Sequence, residues 1–202
     1  MIGKTKFYSA LAAALTACLC CASVSAKESV ADIRSLYQTA KKAAAKADKG
    51  GSEYGEIPHK ITTTLTRVWC GSGYQKCVYN LYINDEECED GNLNPALYFA
   101  TASWNWAARE YYIETLWNKK KEPVFFFYKA TSDDMKNLNE YRLYFTNKKL
   151  FKVLIRKDGK DVFSGNSVPK EYIPNGFNSL INSDKTIKLF NDLFSALDGV
   201  PN

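Results

Sequence analysis

The sequence predicts an α+β domain: an N-terminal helix, an antiparallel β-meander of about six to eight strands, and a C-terminal helix. Three observations carry this reading. Leu97–Arg156 is crowded with aromatic and β-branched residues, interrupted by turn signals, and has no helical period running through it. Before it, Val30, Ile33, Tyr37, Ala40, Ala44 and Ala47 form a narrow apolar stripe at helical spacing. After it, Ile187, Phe190, Leu193 (or Phe194) and Leu197 form another.

Residues 1–26 read as a signal peptide. Lys4 and Lys6 supply a basic start, Phe7–Ala22 is apolar, and Ser23-Val24-Ser25-Ala26 is a small-residue cleavage site. The apolar run is too short and alanine-rich for a good membrane span. Residues 27–202 then form a single α+β domain. Leu15-Thr16-Ala17-Cys18 offers an alternative, a lipobox in which Cys18 is lipidated and anchors the chain to a membrane. The first helix is capped by Ser29, carries Asp32 in its first turn and stops at Gly50-Gly51.

Lys60–Trp69 and Gln75–Ile83 are the first strands, joined through Gly71-Ser72-Gly73. The run Asp85–Asn92 reads as an acidic loop that breaks the sheet. Two similar hairpins follow, Glu110–Phe127 and Glu140–Val153, each with a lysine-rich tip. Asn147-Lys148 stands where a two-residue hairpin turn needs positive φ. Val162–Phe163 adds a short strand, Ser164–Asn182 is a loop with Pro169, Pro174 and Gly176, and the last helix runs from Ser183 to about Leu197.

Alternation assigns Tyr98, Ala100, Ala102, Trp104 and Trp106 to one face of their strand, and Leu97, Phe99, Thr101, Ser103 and Asn105 to the other. The first face has bulky ends and small middles, a shallow trough. The alanine-rich helix beginning after Ser29 is the expected cover for it. If left open, the trough becomes a binding cleft with Tyr98, Trp104 and Trp106 as walls, suited to an acyl chain or the flat face of a sugar.

No catalytic set accompanies this fold, and no cofactor motif is present. The full chain carries 27 basic and 22 acidic residues, a net charge of +5. Loss of Lys4 and Lys6 lowers it by two, a balance too mild to imply a nucleic-acid partner. Cys18, Cys20 and Cys21 lie in the leader, leaving Cys70, Cys77 and Cys88. In an exported protein, three cysteines predict one disulfide and one free thiol. Cys70–Cys77 across the first hairpin competes with Cys77–Cys88. The chain has one histidine, His59, and no paired CxxC, so a metal site is not expected. His59 follows Pro58 without a nucleophile elbow, and the acidic run fits no EF-hand spacing. Gly71-Ser72-Gly73 lacks the flanks of a phosphate loop.

The leader, the short helix, the strand ending TTTLTR, and AAREYYIE, FFFYK, NEYRLYF and NKKLFKVL together resemble a group of small secreted proteins of Bacteroidetes of uncharacterised function. The resemblance implies an exported bacterial protein and carries no catalytic residues over. The expectation is a non-enzymatic binding or interaction domain of the cell envelope, periplasmic or extracellular. Its partner would be an envelope protein, a glycan or a lipid. The alternative is a hydrolase of cell-wall or dietary polymer acting through the acidic loop or His59.

Overall fold

The computed structural model describes residues 28–49, 59–69, 73–87, 93–106, 109–131, 138–173 and 183–198. Helix α1 (Val30–Asp48) is followed by β1 (His59–Trp69), β2 (Gly73–Glu87), β3 (Leu93–Trp106), β4 (Arg109–Trp117), β5 (Pro123–Thr131), β6 (Leu138–Thr146), β7 (Lys149–Lys157) and β8 (Lys160–Gly165). A single 3-10 turn, Lys170–Tyr172, and helix α2 (Ser183–Asp198) complete the described chain. The eight strands form one antiparallel sheet in strict sequence order, β1 to β8. This is the α+β meander that the sequence predicts.

Local chemistry explains the boundaries. Ser29 and Asp32 form a reciprocal capping box at the start of α1, so two otherwise orphaned amides are satisfied. Asn147 and Lys148 have φ of 49° and 61°, the geometry of a two-residue hairpin turn that keeps the right-handed twist of β6 and β7. Asp158 and Gly159, at 50° and 77°, repeat it between β7 and β8. At the β4–β5 tip the Asn118 side-chain oxygen accepts from the amides of Lys120 and Glu122.

Antiparallel register stacks side chains into rows across the sheet. On one face Tyr82, Phe99, Leu116, Phe125 and Tyr144 are successive cross-strand neighbours from β2 to β6. α1 lies on this row through Ile33, Ala40 and Ala44, all buried. Its alanines allow close approach, and Tyr37 packs edge-on against Phe99 and tilted against Phe125. On the other face the central row is Leu81, Ala100, Thr115, Phe126, Leu143 and Val153. α2 covers that side with Ile187 and Phe190, the Phe190 ring meeting Tyr79 and Trp117 edge-on.

Three sequence expectations change here. Asp85–Glu87 are not loop: they extend β2 and pair with Leu93–Pro95 of β3. Tyr98 does not share a face with Ala100, Ala102 and Trp104. Tyr82 pairs with Phe99 and Ile83 with Leu97, so Tyr98 is the extra residue of a β-bulge. The bulge resets the alternation, sending Tyr98 and Phe99 to the α1 side and leaving Leu97, Ala100 and Ala102 on the α2 side. Consequently α1 covers the face opposite the one assigned to it, and the small-residue trough belongs to α2.

The row under α1 sets an expected mutational contrast. Phe99 is fully buried at its centre, so Phe99→Ala should destabilise by about 3–5 kcal/mol in denaturant unfolding. Val68→Ala on the exposed end of β1 should stay within about 0.5 kcal/mol.

Candidate functional site

Two constellations stand out, one on each side of the sheet. The first is an open groove of about 490 Å³ beside α2. Its walls come from successive rows of β1 to β4: Leu65, Cys77 and Trp104 in one, Tyr79, Ala102 and Ile113 in the next. Thr186 and Leu189 of α2 form the opposite bank, and Arg67 and Gln75 the polar end. The groove exists because α2 spends Ile187 and Phe190 on the sheet centre while Leu189 is turned outward, 41% exposed. β1 reaches beyond the helix, and Leu65 remains 54% exposed. Trp104 is half-buried and its indole stacks face to face on Tyr111, centroids 5.3 Å apart and 7° from parallel. That stacking holds the ring as a rigid wall.

Cys77 stands in the groove with a free thiol. Leu65, not a cysteine, is its neighbour across β1, and Trp104 across β3. Burial pushes this thiol up from its ordinary pKa, against the smaller pulls of the Tyr79 hydroxyl and the Arg67 charge. It is therefore a neutral thiol near pH 7, without the activation a catalytic cysteine requires. Cys70, Cys88 and Cys18 lie outside the described residues.

The second constellation is a buried carboxylate under α1. Glu114 is 2% exposed on β4. One oxygen accepts from the Tyr37 hydroxyl at 2.5 Å. The other accepts from Lys41 Nζ and the Tyr112 hydroxyl, both at 2.7 Å. Lys41 also sits over the Phe99 ring, 5.7 Å from its centroid. Along the same row, Thr62 donates to Asn80 Oδ1 at 2.9 Å, and Asn80 Nδ2 to Thr101 at 3.1 Å. Nearer the end of α1, Asp48 accepts from Lys60 at 2.6 Å and Tyr82 at 3.1 Å. Both oxygens of Glu114 are occupied, so the cluster is a fastening between helix and sheet, not an acid or base with room for substrate.

The sequence-derived binding residues separate accordingly. Trp104 lines the groove. Tyr98 lies across the sheet beside Tyr82, and burial, aided by the Asp48 carboxylate, pushes its phenol up to about 12. The Trp106 side chain lies outside the described residues, as do those of Glu86 and Glu87. Ala100 is fully buried and forms no cleft floor; Ala102 does line the groove. His59 is exposed at the start of β1, opposite Ile83. Sequence reading missed Glu114, Tyr37, Lys41 and Tyr112 as a unit. The available signal was a carboxylate two residues from a tyrosine within an otherwise apolar strand. It also missed Leu65 and Leu189, whose exposure depends on where α2 ends up.

Among the described residues, no cluster of three or more His, Cys, Asp or Glu is placed to hold a metal ion. Among those residues, no helix is long and apolar enough to cross a membrane. The described residues define an eight-stranded antiparallel meander with a helix on each face and an apolar groove beside α2. No family model, curated protein or solved structure matches the chain.

The tyrosines around Glu114 predict an alkaline stability limit. Burial first, and the neighbouring carboxylate second, raise Tyr37 and Tyr112 well above the ordinary phenol range. In the unfolded chain they ionise near pH 10. The folded state therefore holds more protons above that point, and stability, full below about pH 10, falls as the pH rises. Melting temperature followed across this range should show the decline, and Tyr37→Phe or Tyr112→Phe should make it shallower.

Proposed function

We propose that this chain is an exported, non-enzymatic binding protein that carries a small amphiphile in the groove beside α2. The single observation behind this reading is the lining of the groove. Leu65, Tyr79, Ala102, Trp104, Ile113 and Leu189 offer an apolar bed, and polar groups collect at one end with Arg67 and Gln75. A volume of about 490 Å³ falls within the range of small-molecule sites, roughly 300–1,000 Å³. An acyl chain lies along Ala102 and Ile113 against the edge of Trp104, and its carboxylate or phosphate head turns toward Arg67. A sugar is the poorer fit, because a ring of hydroxyls needs more amide and carboxylate partners than Gln75 and two threonines supply.

The test uses a long-chain fatty acid as probe. Titrated into the protein, palmitate should change tryptophan emission and slow alkylation of Cys77, read by peptide mass mapping. Leu189→Glu, at an exposed helix position, should abolish both effects without lowering the melting temperature. No change in emission and no protection of Cys77 at saturating palmitate would remove the reading.

The leader and the resemblance to secreted Bacteroidetes proteins support the exported location. Cleavage after Ala26 places Lys27 at the N-terminus and the protein in the periplasm or outside the cell. The intact mass of protein recovered from the cell envelope should match Lys27–Asn202. A mass with an acylated Cys18 at the N-terminus would instead make it a membrane-anchored lipoprotein, and uncleaved chain in the cytoplasm would contradict export.

A further inference from the structure

We infer that β1 is a self-association edge, on which two copies of this chain pair antiparallel through Thr62–Val68 and join their sheets. The sheet has two edges, and they differ. β8 has six residues and a register break against β7. Short, irregular edges of that kind resist pairing. β1 has eleven residues and runs in unbroken register along β2. It contains no proline, and its middle, Thr62-Thr63-Thr64-Leu65-Thr66, is rich in β-branched side chains without a charge. Its one lysine, Lys60, is turned back onto Asp48 at 2.6 Å and covers the Tyr82 ring, so it does not guard the edge.

Side-chain exposure points to the same strand. Among the described residues the large apolar side chains most open to solvent are Val68 at 76%, Tyr74 at 59% and Leu65 at 54%, all on β1 or the adjacent end of β2. A two-fold axis through Leu65 brings Leu65 against its own copy. It also sets Thr63 opposite Arg67, Thr64 opposite Thr66, and Thr62 opposite Val68. No two like charges face each other, and both exposed aliphatics acquire partners. The groove opens at Leu65, so the grooves of the two copies meet at the axis. The pairing itself needs only the edge and does not rest on what the groove binds.

Sedimentation velocity over a concentration series tests this on the protein as purified from cells. The wild-type chain should sediment as a dimer at the upper concentrations. Leu65→Lys, a change at an exposed position, should lose the dimer while its circular dichroism and melting temperature stay unchanged. Leu65→Cys in a Cys77→Ser background, which removes the thiol opposite it on β2, should after oxidation and digestion yield a peptide linked between two copies of position 65, and Leu189→Glu should leave the dimer intact. A wild-type chain that is monomeric throughout, as it would be if the edge served an extended segment of another protein, overturns the inference. So does a Leu65→Lys chain that still dimerises, or the absence of the linked peptide.

Discussion

From β2 to β6 the meander carries apolar side chains on both faces, so the sheet is stable only when both are covered. One row, Tyr82 to Tyr144, faces α1; another, Leu81 to Val153, faces α2. A two-layer fold would leave one of these rows in water. The first row carries five large apolar side chains and the second four, and each fully buried one is worth roughly 1.5–3 kcal/mol. The chain therefore needs a helix on each side, and it places one at each end of the sequence. The groove lies between α2 and the part of the sheet this helix does not cover.

The helices reach differently because they are fastened differently. α1 is held by a charge network as well as by packing: Glu114 binds Tyr37 and Lys41 from the helix, and Asp48 binds Lys60 and Tyr82 from the sheet. Such contacts fix one register, since a slide by one turn would leave Glu114 buried without its donors. Among the described residues α2 rests on Ile187 and Phe190, with Leu193 and Phe194 at the side. The face under α1 carries a small cavity lined by Ile33, Tyr37 and Phe125, and the face under α2 carries the larger groove. Across the rest of that second face, the turn around Lys170–Tyr172 closes over β6 to β8, its Tyr172 carbonyl accepting from Tyr141 and its ring resting on Phe163.

Much of the fold was legible because it follows from local rules. Ser29 with Asp32, the stripe from Val30 to Ala47, the turn at Asn147-Lys148 and the aromatic strands all behave as their spacing implies. What was not legible depends on contacts between distant segments. Strand alternation is a local rule with no term for an extra residue, so the bulge at Tyr98 inverted the face of one predicted wall and the identity of the helix above the trough. Asp85–Glu87 look like loop by composition, yet they are carried into β2 by pairing with β3. Trp104 could be singled out from the sequence and lines the groove, but Leu65 and Leu189 could not be, because only the position of α2 relative to β1 makes them rims.

The contrast between Glu114 and the groove shows how the two sites divide their labour. A buried carboxylate draws attention as a catalytic candidate, but its chemistry depends on what its lone pairs are doing. Here three donors converge on two oxygens, and the side chain is sealed beneath α1, so a substrate would have to displace the contacts that seat the helix. The groove has the opposite character. Its thiol is kept neutral by burial, and its surface is mostly carbon. The proposed binding role rests on that lining, and the same exposed leucine that rims the groove lies on the edge proposed to join two sheets.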